Sequence, residues 1–144
     1  MFKLLRYAWP LPWTVMGLLA ALVARLLGAR WRVCHGALEV HGGWLAGCCR
    51  RLPAPMRFEA ITLGHVILGL DADCLDGARA HEHVHVRQYE RWGPLFVPLY
   101  LASSAWQVLR GGRAYQDNLF EREAHAAAPL CHYPARRNDG TMME

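Results

Sequence analysis

Apolar positions along the chain fall into three regimes: a nearly continuous run at the N-terminus, short runs broken by Gly and Pro in the middle, and helical spacing thereafter. The first run extends from Ala8 to Ala24, contains Pro10 and Pro12, follows Lys3 and Arg6, and leads into Arg25. Trp9 to Gly28 makes twenty residues, which suffices to span hydrocarbon if Arg25 snorkels and Trp9 and Trp13 sit at the interface. A buried or interfacial helix beginning after Pro12 accounts for the same pattern. No small-x-small cleavage site follows, and Arg25 stands where cleavage would fall, so the segment reads as an uncleaved anchor rather than a signal peptide.

From Trp31 to Leu70 the helical period disappears, and Gly36, Gly42-Gly43 and Pro53-Ala54-Pro55 punctuate short β-prone runs. Arg32 to His41 predicts a hairpin. Arg57 to Leu70, rich in Ile, Val, Leu and Thr, predicts one strand with Gly64 and Gly69 as bend or bulge points. Asp71, Asp73 and Asp76 then open a helix that runs to Arg91 or Trp92 and stops at Gly93-Pro94. Leu95 to Leu109 is apolar, with a helical core predicted over Leu99 to Arg110. A last short helix is expected from Asp117 or Asn118 to just before Pro129. The fold class is therefore α+β, divided into an anchor segment (residues 1–30), a domain (31–133) and a flexible tail (134–144).

At 144 residues and 53% apolar composition, the chain suits one modest domain. The net charge of +4 divides unevenly. Residues 1–57 hold eight Lys/Arg against the single acid Glu39, and residues 58–144 hold eight Arg against eleven acids, so the two parts carry +7 and −3. The cations are spread out and accompany no nucleic-acid motif, so the basic part predicts a membrane surface as partner and no nucleic acid. Arg25, Arg30 and Arg32 slightly outweigh Lys3 and Arg6, which places the body on the cytoplasmic side of an inner membrane. Five cysteines (Cys34, Cys48, Cys49, Cys74, Cys131) include no C-x-x-C pair, and an odd number excludes a fully disulfide-bonded scaffold.

The chemistry concentrates in His81-Glu82-His83-Val84-His85, an H-E-x-x-H sequence on the helix that follows the strand. Residues four apart share a helix face, so His81 and His85 can direct ring nitrogens at one Zn2+ ion while Glu82 serves as the base for water. His83 falls on the opposite side and reads as a solvated histidine. A catalytic zinc needs a third protein ligand and an open position. Glu121, Glu123, His125 and His65 are the candidates. Glu121 also fits a capping box with Asn118, in which its side chain would reach back to the Asn118 backbone. Gln88, seven residues beyond His81, returns to the ligand face and is expected to touch substrate or a ligand.

H-E-x-x-H followed by Glu121-Arg122-Glu123-Ala124 on a later helix resembles the gluzincin branch of zinc metallopeptidases, which includes membrane-embedded members. The run from GHVILG through HEHVHVRQYERWGP to FEREA is also similar to a small bacterial zincin-like family. The resemblance spans about Arg57 to Ala128 and implies a minimal zincin-like domain. It also implies zinc held by His81, His85 and Glu121, Glu82 as catalytic base, and a peptide or protein as substrate. In gluzincins the last position of the second motif is Asp or Asn, which orients a zinc-binding histidine; here it is His125. A strand edge over Ile61 to Leu68 would pair with the substrate backbone by the same resemblance, with His65 a candidate for oxyanion stabilisation. Two alternatives stay open: a non-catalytic zinc-binding protein on this scaffold, and a metal-free membrane-associated interaction protein.

Overall fold

The computed structural model describes residues 6–43, 47 and 60–128, so the expected tail and Cys48, Cys49 and Cys131 lie outside the described residues. The fold is mixed α+β. Helix α1 (Leu11–Leu26) precedes a hairpin of β1 (Arg30–Cys34) and β2 (Ala37–His41), then β3 (Ala60–Leu63) and β4 (Val66–Gly69). Helices α2 (Ala72–Trp92), α3 (Phe96–Leu109) and α4 (Leu119–Ala127) complete it, with a 3-10 turn at Gly93–Leu95 between α2 and α3.

The strands form one sheet in the order β1-β2-β4-β3. β1 pairs antiparallel with β2, β2 parallel with β4, and β3 antiparallel with β4, which leaves β1 and β3 as edges. The run expected as a single strand over Arg57 to Leu70 is thus two strands joined by a tight turn. Gly64 adopts φ +61°, and a Cβ there would lie 2.2 Å from the Thr14 hydroxyl, so the turn needs both the conformation and the absent side chain. The substrate-edge reading of Ile61 to Leu68 is corrected accordingly: β3 is the open edge, and β4 lies inside the sheet.

Alternation along the strands divides the core in two. Val40, Val66 and Leu68 meet Ala21 and Ala24 of α1, whereas Ala37 and Ile67 meet Leu75 and Val86 of α2. The sheet is the middle layer of three, and the N-terminal segment forms one of those layers. Helix α1 approaches on small residues. A Cβ on Gly17 would stand 2.7 Å from the Leu63 carbonyl oxygen and 2.8 Å from the Val66 Cβ. Gly17, Ala21 and Ala24 are buried, and Val15, Met16, Leu19, Leu22, Val23 and Leu26 on the same helix are exposed.

Helix α2 has the ends expected from its sequence. The Asp71 side chain accepts from the Cys74 N–H at 2.8 Å, and Gly93 closes the helix at φ +54°. Helix α3 begins earlier than the expected Leu99, because Pro98 falls within the first turn, where a missing N–H costs no helical hydrogen bond.

One ion network ties the sheet to α2. Glu39 on β2 is fully buried, and it accepts from Arg79 Nε at 2.7 Å and Arg32 Nε at 2.7 Å. Asp76 receives the other ends of both arginines. Burial works to raise the Glu39 pKa, but Arg79 and Arg32 outweigh it and hold the carboxyl below its ordinary value; the same arginines lower Asp76. Glu39→Gln, which leaves two guanidinium groups without their buried anion, is expected to destabilise the fold by about 3 kcal/mol. Because the folded pKa is depressed, the stabilisation is complete above the unfolded carboxyl range and disappears as pH falls through the folded value. Chemical melts between pH 7 and pH 3 check this: the wild type should lose more stability below about pH 4 than Glu39→Gln does.

Candidate metal centre

The motif helix directs His81 and His85 towards α4, where Glu121 in the first turn faces both rings. His81 Nε2 lies 3.3 Å from Glu121 Oε2, His85 Nε2 lies 3.4 Å from Glu121 Oε1, and the two imidazole nitrogens are 3.1 Å apart. Zinc bonds of about 2.0–2.1 Å in a tetrahedron place neighbouring donors about 3.3 Å apart, and each of these separations is close to that spacing, with the two rings meeting different oxygens of the one carboxylate. All three residues are buried, His81 at 1% exposure and Glu121 at 3%. Glu121 Oε2 is buried without a hydrogen-bond partner, and so is His81 Nδ1. Glu121 Oε2, with the His81 ring nitrogen 3.3 Å away, thus retains acceptor capacity that a cation would satisfy.

The donors are held by neighbours. Gln88 donates its amide to the Phe120 carbonyl at 3.1 Å and to Glu123 at 2.9 Å, which fixes its Oε1 as the atom 2.8 Å from His85 Nδ1. His85 therefore carries its proton on Nδ1 and turns the Nε2 lone pair to the centre. Tyr100 on α3 donates to Glu121 Oε1 at 2.8 Å. Asn118 caps α4 by accepting from the Phe120 N–H, and its amide donates to the Tyr100 carbonyl and Ser104 Oγ.

Electrostatics invite positive charge here. Burial works against a charged His85, yet Glu121 and Glu82 outweigh it and raise its pKa. Burial likewise opposes ionised Glu121, but the facing rings of His81 and His85 hold that carboxyl far below its usual range. Glu82 is the contrasting acid. Its burial raises its pKa despite the opposing effects of His85 and of the Thr62 hydroxyl, which donates to Oε2 at 2.7 Å. Glu82, His85 and Glu121 line a cleft of about 310 Å³ whose other walls are β3 (Ala60 to Leu63) and the side chains of Trp13, Tyr89, Phe96, Val97, Tyr100 and Tyr115.

The sequence-derived residues separate into those gathered here and those that are not. His81, His85, Glu121 and Glu82 come together, with Gln88 behind His85. Glu123 points instead to Gln88. His125 stands beside the centre: its ring is 4.6 Å from that of His81, and one donor atom each of His81, Glu121 and His125 lies within 4.8 Å of the others. His85 Nε2 lies 3.1 Å from His81 Nε2 and 3.4 Å from Glu121 Oε1, so His85 and His125 both adjoin the His81–Glu121 pair. The Asp or Asn role at position 125 is not filled, because His81 Nδ1 has no hydrogen-bond partner. His65 lies elsewhere, stacked on Tyr7 at 4.4 Å with Nε2 3.3 Å from Glu90, and none of these three lines the cleft. Nor does the capping box form, since the Glu121 side chain serves Tyr100 and the two histidines. Sequence reasoning missed Thr62 as the partner of Glu82, and Tyr100 as that of Glu121.

Comparison with known protein families, curated proteins and solved structures finds no match to this chain.

Removal of an orienting group should be felt as weaker metal binding with the fold kept. Gln88→Leu and Tyr100→Phe are each expected to lower the affinity of this candidate site for a divalent metal ion roughly 10–100-fold, measured by competition with a chromophoric chelator.

Proposed function

We propose that the chain is a zinc-dependent metallopeptidase of the gluzincin type on a minimal zincin-like domain, associated with a membrane through α1. The observation that carries this reading is the buried Glu121 carboxylate meeting the Nε2 atoms of both His81 and His85, with Glu82 in the same cleft. His81, His85 and Glu121 would hold the ion, which supplies Lewis acidity to a peptide carbonyl and to the attacking water. Thr62 occupies Glu82 Oε2, which leaves Oε1 to take the proton of the water and return it to the departing amine. A carboxyl whose burial favours the protonated form suits the second of those tasks. Tyr100 and Gln88 fix the ligand positions, so no reorganisation is required as charge develops.

The edge of β3 offers unpaired main-chain groups beside these residues for an extended peptide, and the apolar cleft walls keep water from competing. Among the described residues no helix is long and apolar enough to cross a membrane. Sixteen residues of α1 reach about 24 Å, against a hydrocarbon thickness of about 30 Å. The exposed apolar face of α1, together with exposed Leu101, Trp106, Val108 and Leu109 on α3, supports association with the membrane surface.

Zinc analysis combined with peptide-library cleavage tests the assignment. Glu82→Gln should retain zinc and lose cleavage by about 100-fold or more. His81→Ala should lose both, and chelation should silence the wild type until zinc is restored. Unchanged cleavage by Glu82→Gln would rule out the peptidase mechanism, whereas stoichiometric zinc without any cleavage would favour a non-catalytic zinc protein. Flotation with anionic vesicles checks the membrane component: Leu19→Glu/Leu22→Glu should abolish co-flotation.

A further inference from the structure

The face of α2 opposite the first centre carries a second group of donors. His83 lies two residues from both His81 and His85, and so on the other side of the helix. It is not the solvated histidine its position predicts. Its side chain is only 16% exposed, and its Nε2 is buried without a hydrogen-bond partner. The β1–β2 turn brings two more donors to it. Cys34, a free thiol, ends β1 with Sγ 3.2 Å from His35 Nδ1, and the His35 ring meets that of His83 edge-on at 5.5 Å between centroids. One donor atom each of Cys34, His35 and His83 lies within 4.8 Å of the others.

The hairpin turn fixes where His35 stands. A two-residue turn with positive φ at both positions favours Asn-Gly or Asp-Gly, and here the residues are His35 (φ +47°) and Gly36 (φ +83°). Among the described residues, His35 alone adopts a positive φ without being glycine. Histidine is among the residues that adopt such a φ, and this one holds its ring beside the Cys34 thiol and edge-on to His83.

We propose that Cys34, His35 and His83 form a second metal site, for a thiolate-accepting transition-metal ion of the Zn2+ class. The Cys34–His35 separation is within a few tenths of an ångström of the roughly 3.5 Å between sulfur and nitrogen donors on tetrahedral zinc. One thiolate with two imidazoles is a borderline-soft donor set that excludes Mg2+ and Ca2+. Of the nearby cations, Arg32 and Arg79 are paired with Glu39 and Asp76, while Arg87 lines the same hollow as His35 and His83. Glu39 Oε1, 4.0 Å from His83 Nε2, adds a nearby negative group. The site opens to solvent, since His35 and His83 line a hollow distinct from the peptidase cleft. It stands independently of the function proposed above.

Cobalt(II) discriminates the two centres, because only a sulfur ligand gives a sulfur-to-metal charge-transfer band in the near ultraviolet. The first centre contains no sulfur. Reduced full-length protein titrated with Co2+ should show that band, and Glu121→Gln should keep it. Cys34→Ser should lose it and bind one fewer metal ion per chain, while Cys74→Ser should not change it. His35→Asn, which retains a residue suited to the left-handed turn, should weaken or abolish the band with circular dichroism unchanged. Absence of the band in the wild type, its survival in Cys34→Ser, or an unaltered band in His35→Asn would overturn the proposal.

Discussion

An ionised carboxylate inside a protein is tolerated only where something positive, or several donors, meet it. Glu121 imposes that condition on the helical half of this molecule. Helix α4 has only nine residues, too few to persist without tertiary support, yet it must present this side chain to His81 and His85. Contacts from both other helices meet the requirement: Tyr100 holds the carboxylate, Asn118 fastens the start of α4 to α3, and Gln88 of α2 binds the Phe120 carbonyl. The burial of one anion thus accounts for the polar contacts that join α3 to α4.

The sheet contributes through a second, separate linkage. Thr62 on β3 holds Glu82, so the position of the edge strand and that of the proposed base are set together. Glu39 on β2 anchors the same helix farther along through Arg79. Helix α2 is therefore constrained on the sheet side by polar contacts from β1, β2 and β3, and on the α4 side by its imidazoles. That suits a centre whose parts must be held to within a fraction of an ångström.

What could be read from the sequence was what short-range chemistry determines. The hairpin over Arg32 to His41, the Asp71 cap and the Gly93 stop depend on residues within a turn of one another, and the structure has all three. Arg57 to Leu70 misled because a Gly inside an apolar β-prone run signals a bulge or a turn equally well; contact with Thr14, fifty residues earlier in sequence, decides for the turn. The parallel pairing of β2 with β4 leaves no local trace either. At the site, helical periodicity brought His81, Glu82 and His85 into view. The choice of Glu121 over Glu123 came only from a resemblance, since both acids sit on one short helix and tertiary packing separates their partners. Tyr100 and Thr62 act on residues about twenty positions away, and nothing around them announces it.

Helix α1 reverses the usual amphipathic arrangement, with its small residues against the sheet and its large aliphatic ones outside. Its two faces therefore tolerate opposite kinds of change. Beneath it, added volume is excluded, because there is no room for even one methyl at Gly17. Outside, bulk is free to vary and wettability is what counts. Oily side chains there contribute little to holding the domain together, so the fold and its affinity for an apolar environment can be altered separately within a single helix.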